Sequence, residues 1–467
     1  MKHFLVLICF LSTVAFSQKI EGVWHGALSV QGMKLRLDFN ISKKDSGYVA
    51  TMDSPDQSAF GIPMTAATFL NNQLELTLTA AKIVYKAILQ NDTLKGEFTQ
   101  AGQSMPLEMT RNVLEKKIDK KPQEPILPVP YSEEEVLFFN KSANVKLAGT
   151  LTYPKLKPNS TQQFPALILI SGSGPQNRNE ELLGHKPFLV LADYFTRKGF
   201  AVLRYDDRGV GKSTGDFSQA TTADFASDVE NAVKFLQHHF VVNPTKIGLM
   251  GHSEGGVIAP MVASNPSNSV AFIVLLAGTG IKGDSLLLLQ QALIAQAEGM
   301  NPTLLKENQQ LNRELFQLVN LYEDEKILNA AVDAYFEQHP LNTELLAETG
   351  QTSSEFQQAL RDQLLNPWMR YFLRLDPQIA LKKVTCPVLA INGSKDLQVP
   401  AAQNIPAIKT AIESNGNKQV TVEMLPNLNH LFQTCTTGSL SEYTTIEETF
   451  SPVALKVIEK WMKKSMK

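Results

Sequence analysis

Between residues 18 and 112, apolar and polar positions alternate with a period of two, and turn residues interrupt them at regular spacing. The clearest stretches are Lys34-Leu35-Arg36-Leu37-Asp38-Phe39-Asn40-Ile41 and Gln73-Leu74-Glu75-Leu76-Thr77-Leu78, with turns marked by Gly47, Asn71-Asn72 and Asn91-Asp92. This pattern predicts a small all-β domain of about seven short strands, a barrel or a sandwich, since closure or face-to-face packing protects the edges. Trp24 reads as a core aromatic. Residues 113–130 hold Lys116, Lys117, Pro122, Pro125, Pro128 and Pro130, the composition of an extended, semi-rigid linker. Beyond it, Val136-Leu137-Phe138-Phe139 and Leu147-Ala148-Gly149-Thr150-Leu151 predict an antiparallel pair. From Phe164 onward short apolar runs alternate with amphipathic segments, which predicts an α/β class with a doubly wound, mostly parallel sheet. Phe225, Val229, Ala232, Val233 and Leu236 recur on one helical face, with Thr221 or Thr222 as its cap. Between Gly280 and about Pro377 the alternation stops. Leu286 to Leu289, Leu311 to Leu321 and Ile327 to Phe336 predict helices with one apolar face.

The most informative junction is Gly251-His252-Ser253-Glu254-Gly255, between the apolar run Lys246 to Met250 and the helix start at Gly255-Gly256-Val257. A Gly-x-Ser-x-Gly between strand and helix is a nucleophile elbow, a turn so tight that glycine is needed on either side of the serine. It lifts the Ser253 hydroxyl above the sheet, at the positive end of the next helix. A serine needs a base, and the base a carboxylate, in the chain order Ser, Asp or Glu, His. Asp396 ends the run Cys386 to Asp396 and sits where a loop leaves the carboxyl edge of the sheet. His430 follows the last strand candidate, Val420 to Leu425, and is the only histidine after residue 339. The rival acid is Asp284, which reads better as a helix N-cap. His238 and His239 end a helix, and His252 adjoins the serine with its side chain directed away. For a tetrahedral oxyanion the expected donors are the Glu254 amide and an amide of Ser171-Gly172-Ser173-Gly174-Pro175-Gln176, for which Ser173 is chosen. As a phosphate loop that segment fails, because no Gly-Lys-Ser/Thr adjoins it.

Residues from about 131 to the C-terminus resemble the α/β-hydrolase fold, and more narrowly bacterial serine esterases with an appended N-terminal β domain. The motifs that carry the resemblance are Ser171 to Gln176, Tyr205-Asp206-Asp207-Arg208-Gly209-Val210-Gly211-Lys212-Ser213, the elbow with Gly256, Gly393-Ser394-Lys395-Asp396 with Val399-Pro400, and Asn429-His430. The resemblance implies that Asp207 and Arg208 hold the top of the sheet after its fourth strand. It also implies that the helical segment at about 281–377 is a cap, whose Trp368, Met369, Tyr371 and Phe372 line an acyl pocket or pack the cap's own core. The usual His-Gly before the oxyanion loop is replaced here by Ser171-Gly172. The implied activity is hydrolysis of a small carboxylic ester through an acyl-enzyme on Ser253. Alternatives are an aminopeptidase-like peptidase, with Glu323-Asp324-Glu325 holding a substrate ammonium, an acyltransferase, or a non-catalytic protein binding a glycan or lipid.

The chain has 467 residues and a formal net charge of −2, which gives no reason to expect nucleic acid as a partner. Met1-Lys2-His3 followed by the apolar run Phe4 to Phe16, with Ala15 and Ser17 before Gln18, predicts a signal peptide over residues 1–17 and a secreted or periplasmic protein. The run is too short to span a bilayer. After its removal Cys386 and Cys435 remain, at opposite ends of a strand roughly 15–20 Å long. A disulfide tolerates Cα atoms only ~7 Å apart, so two free thiols are expected. No His-x-x-x-His or Cys-x-x-Cys spacing suggests a metal, no cofactor is implied, and nothing sets the oligomeric state.

Overall fold

The computed structural model describes residues 19–30, 33–44, 47–55, 59–100, 103–113, 120–349 and 352–466. The expected signal peptide, residues 1–17, lies outside the described residues, as do residues 114–119 of the expected linker. The chain divides into two compact units, Met1–Ile118 and Asp119–Lys467.

Among its described residues the first unit is one antiparallel sheet of nine strands: β1 (Gly22–Val30), β2 (Met33–Lys44), β3 (Gly47–Ser54), β4 (Ala59–Pro63), β5 (Ala66–Leu70), β6 (Gln73–Leu78), β7 (Ile83–Gln90), β8 (Thr93–Gln100) and β9 (Gln103–Thr110). Their order is β4-β3-β2-β1-β9-β8-β7-β6-β5. One face encloses a single core that includes Trp24, Phe39, Tyr85 and Phe98, so the sheet curls into an open barrel. Trp24 is fully buried, and its indole N–H donates to the Ile20 carbonyl at 2.7 Å. The strand number corrects the expected seven. β4 and β5 have five residues each, and β4 contains Gly61 and Pro63, residues that count against a strand anywhere but an edge. Pro106 lies within β9 where that strand has no partner on its β1 side, because β1 pairs with β9 only at Met109 and Thr110.

The second unit is built on eight strands: β10 (Tyr131–Asn140), β11 (Val145–Pro154), β12 (Phe164–Ile170), β13 (Ala201–Tyr205), β14 (Val242–His252), β15 (Phe272–Leu276), β16 (Val388–Gly393) and β17 (Val420–Leu425). The order β10-β11-β13-β12-β14-β15-β16-β17 is the α/β-hydrolase arrangement, with the antiparallel β10–β11 pair at one edge and parallel pairing from β13 to β17. Ala166, Ile168 and Ile170 of β12 enter one core and Leu167 and Leu169 the other, as the two-residue period of a strand requires. One face is covered by α1 (Pro187–Arg197) and the other by α2 (Thr222–Gln237) and α3 (Gly255–Ala263). α2 starts with a capping box between Thr221 and Asp224.

Between β15 and β16 the regular elements among the described residues are all helices: α4 (Gly283–Ala297), α5 (Pro302–Leu321), α6 (Glu325–Gln338), α7 (Thr343–Thr349), α8 (Ser353–Leu365), α9 (Pro367–Arg374) and α10 (Gln378–Leu381). Leu315, Phe316, Val319, Leu328, Val332 and Leu373 give this insertion a core of its own. After it, α11 (Ala401–Glu413) joins the face of α2 and α3, and α12 (Pro452–Ser465) joins that of α1. Residues 120–130 depart from an independent linker, because they are tied down within this unit. Gln123 Oε1 accepts the Thr449 and Phe450 amides at 2.6 and 3.0 Å, and the buried Glu124 pairs with Lys186 at 3.1 Å. Among the described residues no helix is long and apolar enough to cross a membrane.

Candidate active site

Ser253 follows β14 directly and has φ +53°, the left-handed backbone that a sharp strand-to-helix turn demands. Its amide donates to the Leu276 carbonyl at 2.8 Å, which pins the turn to β15. The flanking glycines are sterically required. A Cβ at position 251 would lie 1.9 Å from the Gly255 carbonyl oxygen, and one at position 255 would lie 2.2 Å from that of Ile170. Gly256 meets Gly278 with the same closeness, a Cβ there lying 2.5 Å from the Gly278 Cα.

Asp396, on the loop after β16, is buried. Its Oδ1 accepts the Gln398 and Val399 amides at 2.8 and 2.9 Å, and its Oδ2 lies 2.8 Å from His430 Nδ1. This places the imidazole hydrogen on Nδ1 and leaves the Nε2 lone pair as the basic position. The loop after β17 that carries His430 is wound around Asn429, whose Oδ1 accepts the Leu431 and Gln433 amides at 3.0 and 2.9 Å. Ser253 and His430 line one cavity of about 200 Å³. Asp284, the rival acid, does not line this cavity; it lies in the first turn of α4, where it accepts from Asn320 at 2.9 Å, and the helix cap is Lys282, not Asp284.

Both expected oxyanion donors border the same cavity. The loop after β12 lies directly against the serine, since a Cβ on Gly172 would be 3.2 Å from the Ser253 Cβ. The Gly172 amide is committed to Glu180 Oε1 at 2.7 Å, whereas among the described residues the Ser173 and Glu254 amides meet no acceptor. Ser171 takes a framework role: its hydroxyl donates to Asp207 Oδ1 at 2.7 Å, and Asp207 Oδ2 accepts the Gln176 amide at 3.0 Å. Complete burial, aided by the nearby Glu254 and Glu180, raises the Asp207 pKa well above the usual carboxylate value despite these bonds. Arg208 reaches Asp228 of α2 at 2.7 Å, and Asp206 holds Arg178 at 2.8 Å.

The apolar wall comes from α4 and α9: Leu286, Leu287, Trp368 and Phe372, the last two stacked with centroids 4.9 Å apart. Met369, one residue along the same helix, faces the insertion's own core instead, whereas Trp368 both lines the cavity and packs against that core. Trp368 Nε1 donates to Glu254 Oε1 at 2.8 Å, and Thr222 of α2 donates to the same oxygen at 2.6 Å. Burial raises the Glu254 pKa, and the bonds from Thr222, Trp368 and Ser173 oppose that shift. Glu323, Asp324 and Glu325 do not reach the cavity: Asp324 caps α6 and Glu325 pairs with Arg370 at 3.0 Å.

His252 corrects the sequence expectation that it points away from the chemistry. It is buried against His430, with ring centroids 4.8 Å apart, and bonds to Glu180 at 2.9 Å. Its place in the elbow was the only signal; Glu180 carried none. Cys386 and Cys435 are both free thiols, and burial lifts the Cys386 pKa to about 12. Among the described residues no group of three or more His, Cys, Asp or Glu side chains is arranged to hold a metal.

Residues 143–423 match the family model described as X-Pro dipeptidyl-peptidase (S15 family). The chain belongs to that family. As a member of the S15 family it is similar to esterase EstD of Thermotoga maritima, 24% identical over 288 residues that cover 61% of this chain and 58% of the relative. It is also similar to the uncharacterized protein YfhR of Escherichia coli, 29% identical over 149 residues, 32% of this chain and 48% of the relative. The chain thus spans less than two thirds of the length of these relatives. Among solved structures, the Pyrococcus furiosus esterase Pf2001 aligns with a TM-score of 0.40 at 15% identity, covering 72% of this chain and 93% of that one. The α/β hydrolase GrgF from Penicillium aligns at 0.43 and 18% identity, covering 72% and 99%.

Proposed function

We infer that this S15-family hydrolase cleaves small carboxylic esters through an acyl-enzyme on Ser253. The observation that carries the reading is the Asp396–His430 pair, bonded at 2.8 Å, sharing a cavity with a serine held at φ +53°. His430 Nε2 takes the Ser253 hydroxyl proton as Oγ attacks the ester carbonyl carbon, and Asp396 stabilises the imidazolium that forms. The Glu254 and Ser173 amides receive the oxyanion. The imidazolium returns its proton to the departing alkoxide as the tetrahedral adduct collapses. Water, deprotonated by the same base, then attacks the acyl carbon and releases Ser253 and a carboxylic acid.

A cavity of about 200 Å³ is smaller than the roughly 300–1,000 Å³ of sites for drug-sized ligands, which supports a short acyl group. The family description supports a second reading, cleavage after an Xaa-Pro unit. A substrate ammonium would then require a carboxylate with a free oxygen facing the cavity. Of the two carboxylates bordering it, Glu254 is already engaged with Trp368 and Thr222, and Glu180 holds His252 and Gly172 through Oε1 while its Oε2, unpartnered among the described residues, is buried out of reach of solvent, so neither offers an exposed free oxygen. The basic start and apolar run before Gln18 support action outside the cytoplasm.

A fluorophosphonate probe and a p-nitrophenyl ester series, run beside an Xaa-Pro-nitroanilide, test these readings together. Wild type should be labelled and prefer acetyl to butyryl esters over long chains, and Ser253→Ala should lose labelling and at least ~10³-fold in turnover. Near wild-type turnover by folded Ser253→Ala would remove the nucleophile assignment, and faster anilide than ester cleavage would favour the peptidase.

A further inference from the structure

Glu180 and His252 stand outside the Ser253–His430–Asp396 arrangement, yet both are buried beside it. His252 Nδ1 lies 2.9 Å from Glu180 Oε1, and its Nε2 lies 3.0 Å from the backbone carbonyl oxygen of His430. The same Glu180 Oε1 accepts the Gly172 amide at 2.7 Å, while Oε2 is buried and has no hydrogen-bond partner among the described residues. A backbone carbonyl only accepts, so His252 Nε2 carries a hydrogen, and the Nδ1–Oε1 contact holds a second proton between the two side chains. Burial works against charge on this imidazole, but the Glu180 carboxylate and the His430 carbonyl outweigh it and raise its pKa. Glu180 itself has φ +50°, a left-handed backbone conformation that only its surroundings sustain.

We propose that Glu180 and His252 are positioning residues, a buried pair that holds the oxyanion loop at Gly172 and the base loop at His430 in register across Ser253. The proposal rests on the reading of Ser253 as nucleophile and His430 as base. His252 immediately precedes Ser253, so the pair joins three segments that leave three different strands, β12, β14 and β17. Gly172 immediately precedes Ser173, so releasing Gly172 moves an oxyanion donor. His430 is gripped by Asp396 at its ring and by His252 at its backbone, which restricts the direction in which Nε2 points. Such control acts on the transition state more than on substrate binding.

Two variants separate geometry from charge. Glu180→Gln can keep an oxygen at the Oε1 position that accepts both the Gly172 amide and the His252 Nδ1–H, but removes the charge. Glu180→Asp keeps the charge and withdraws the acceptor from both partners. On p-nitrophenyl butyrate Glu180→Asp should lower kcat about 10²-fold with KM within about threefold, the loss expected when an oxyanion donor is displaced. Its affinity for a trifluoromethyl ketone, which forms a tetrahedral adduct with the serine, should fall by about the same factor. Glu180→Gln should remain within about fivefold of wild type in both measurements. If Glu180→Asp does not fold, His252→Phe, which keeps the ring and removes the bond to His430, should show the same fall in kcat. Wild-type kcat in folded Glu180→Asp or His252→Phe overturns the proposal, and so does a larger loss in Glu180→Gln than in Glu180→Asp. Ser253→Ala, measured in parallel, distinguishes the two failures: activity surviving there refutes the nucleophile, whereas activity surviving only in the Glu180 and His252 variants refutes the clamp.

Discussion

Ser253 occupies a left-handed backbone conformation, φ +53°, at a cost of roughly 1–2 kcal/mol for a residue with a side chain. Its amide bond to Leu276 and the missing Cβ atoms of Gly251 and Gly255 hold it there. Asp396 is held as firmly, by two backbone amides on Oδ1, so that Oδ2 is left for His430. Asp396→Asn would put a donor opposite Nδ1–H and force the wrong tautomer, so kcat should fall by about 10⁴-fold. Asp284→Asn should leave kcat within about twofold and cost at most ~1 kcal/mol through the first turn of α4. Steady-state kinetics and thermal melts of both variants check this; the reverse ranking would move the acid to the loop after β15.

Glu254 connects elements rather than residues. Its carboxylate takes Thr222 of α2, Trp368 of α9 and the Ser173 hydroxyl of the oxyanion loop. Because burial raises its pKa, the folded protein binds this proton more tightly than the unfolded chain. Stability from this group is therefore greatest below the ordinary Glu value of about 4.3 and declines as pH rises through the folded pKa. Glu254→Gln removes that decline while keeping an acceptor for Thr222 and Trp368. The Tm difference, variant minus wild type, should increase between pH of about 4.5 and about 7.5; a flat difference in calorimetry would rule out an ionised, strained Glu254. Such links explain what could be read in advance. Ser253, Asp396 and His430 stand out because each closely follows an apolar strand, a local signal. Glu180 and His252 are 72 positions apart, and only the pairing of strands brings them together. β4 and β5 are similar: five residues each, with Gly61 and Pro63 in β4, carry little periodicity, and pairing with neighbours makes them strands.

For the whole molecule, proline content suggested a free linker, but side-chain bonds decide where the hydrolase unit begins. Gln123 also donates to the Phe450 carbonyl at 2.7 Å, so it makes three bonds to the segment just before α12. A chain shortened to begin at Asp119 should fold and match the full chain on a small ester. One beginning at Tyr131 loses those bonds and the Glu124–Lys186 pair. At about 1 kcal/mol for each of these contacts and about 2–4 °C per kcal/mol, its Tm should be lower by roughly 8–16 °C. Equal melting temperatures for the two shortened chains would show that the Gln123 contacts add no stability. The order of the site along the chain has a further consequence. Ser173, Ser253 and Glu254 are made first, on strands that pair with one another in the folded protein, while Asp396 and His430 follow the long helical insertion. The His430 loop is then fastened by Ser451, whose amide donates to the Phe432 carbonyl at 2.8 Å. His430 lies 177 positions after Ser253, so on the proposed mechanism a product released early by the ribosome, ending before His430, would carry the elbow yet be chemically silent.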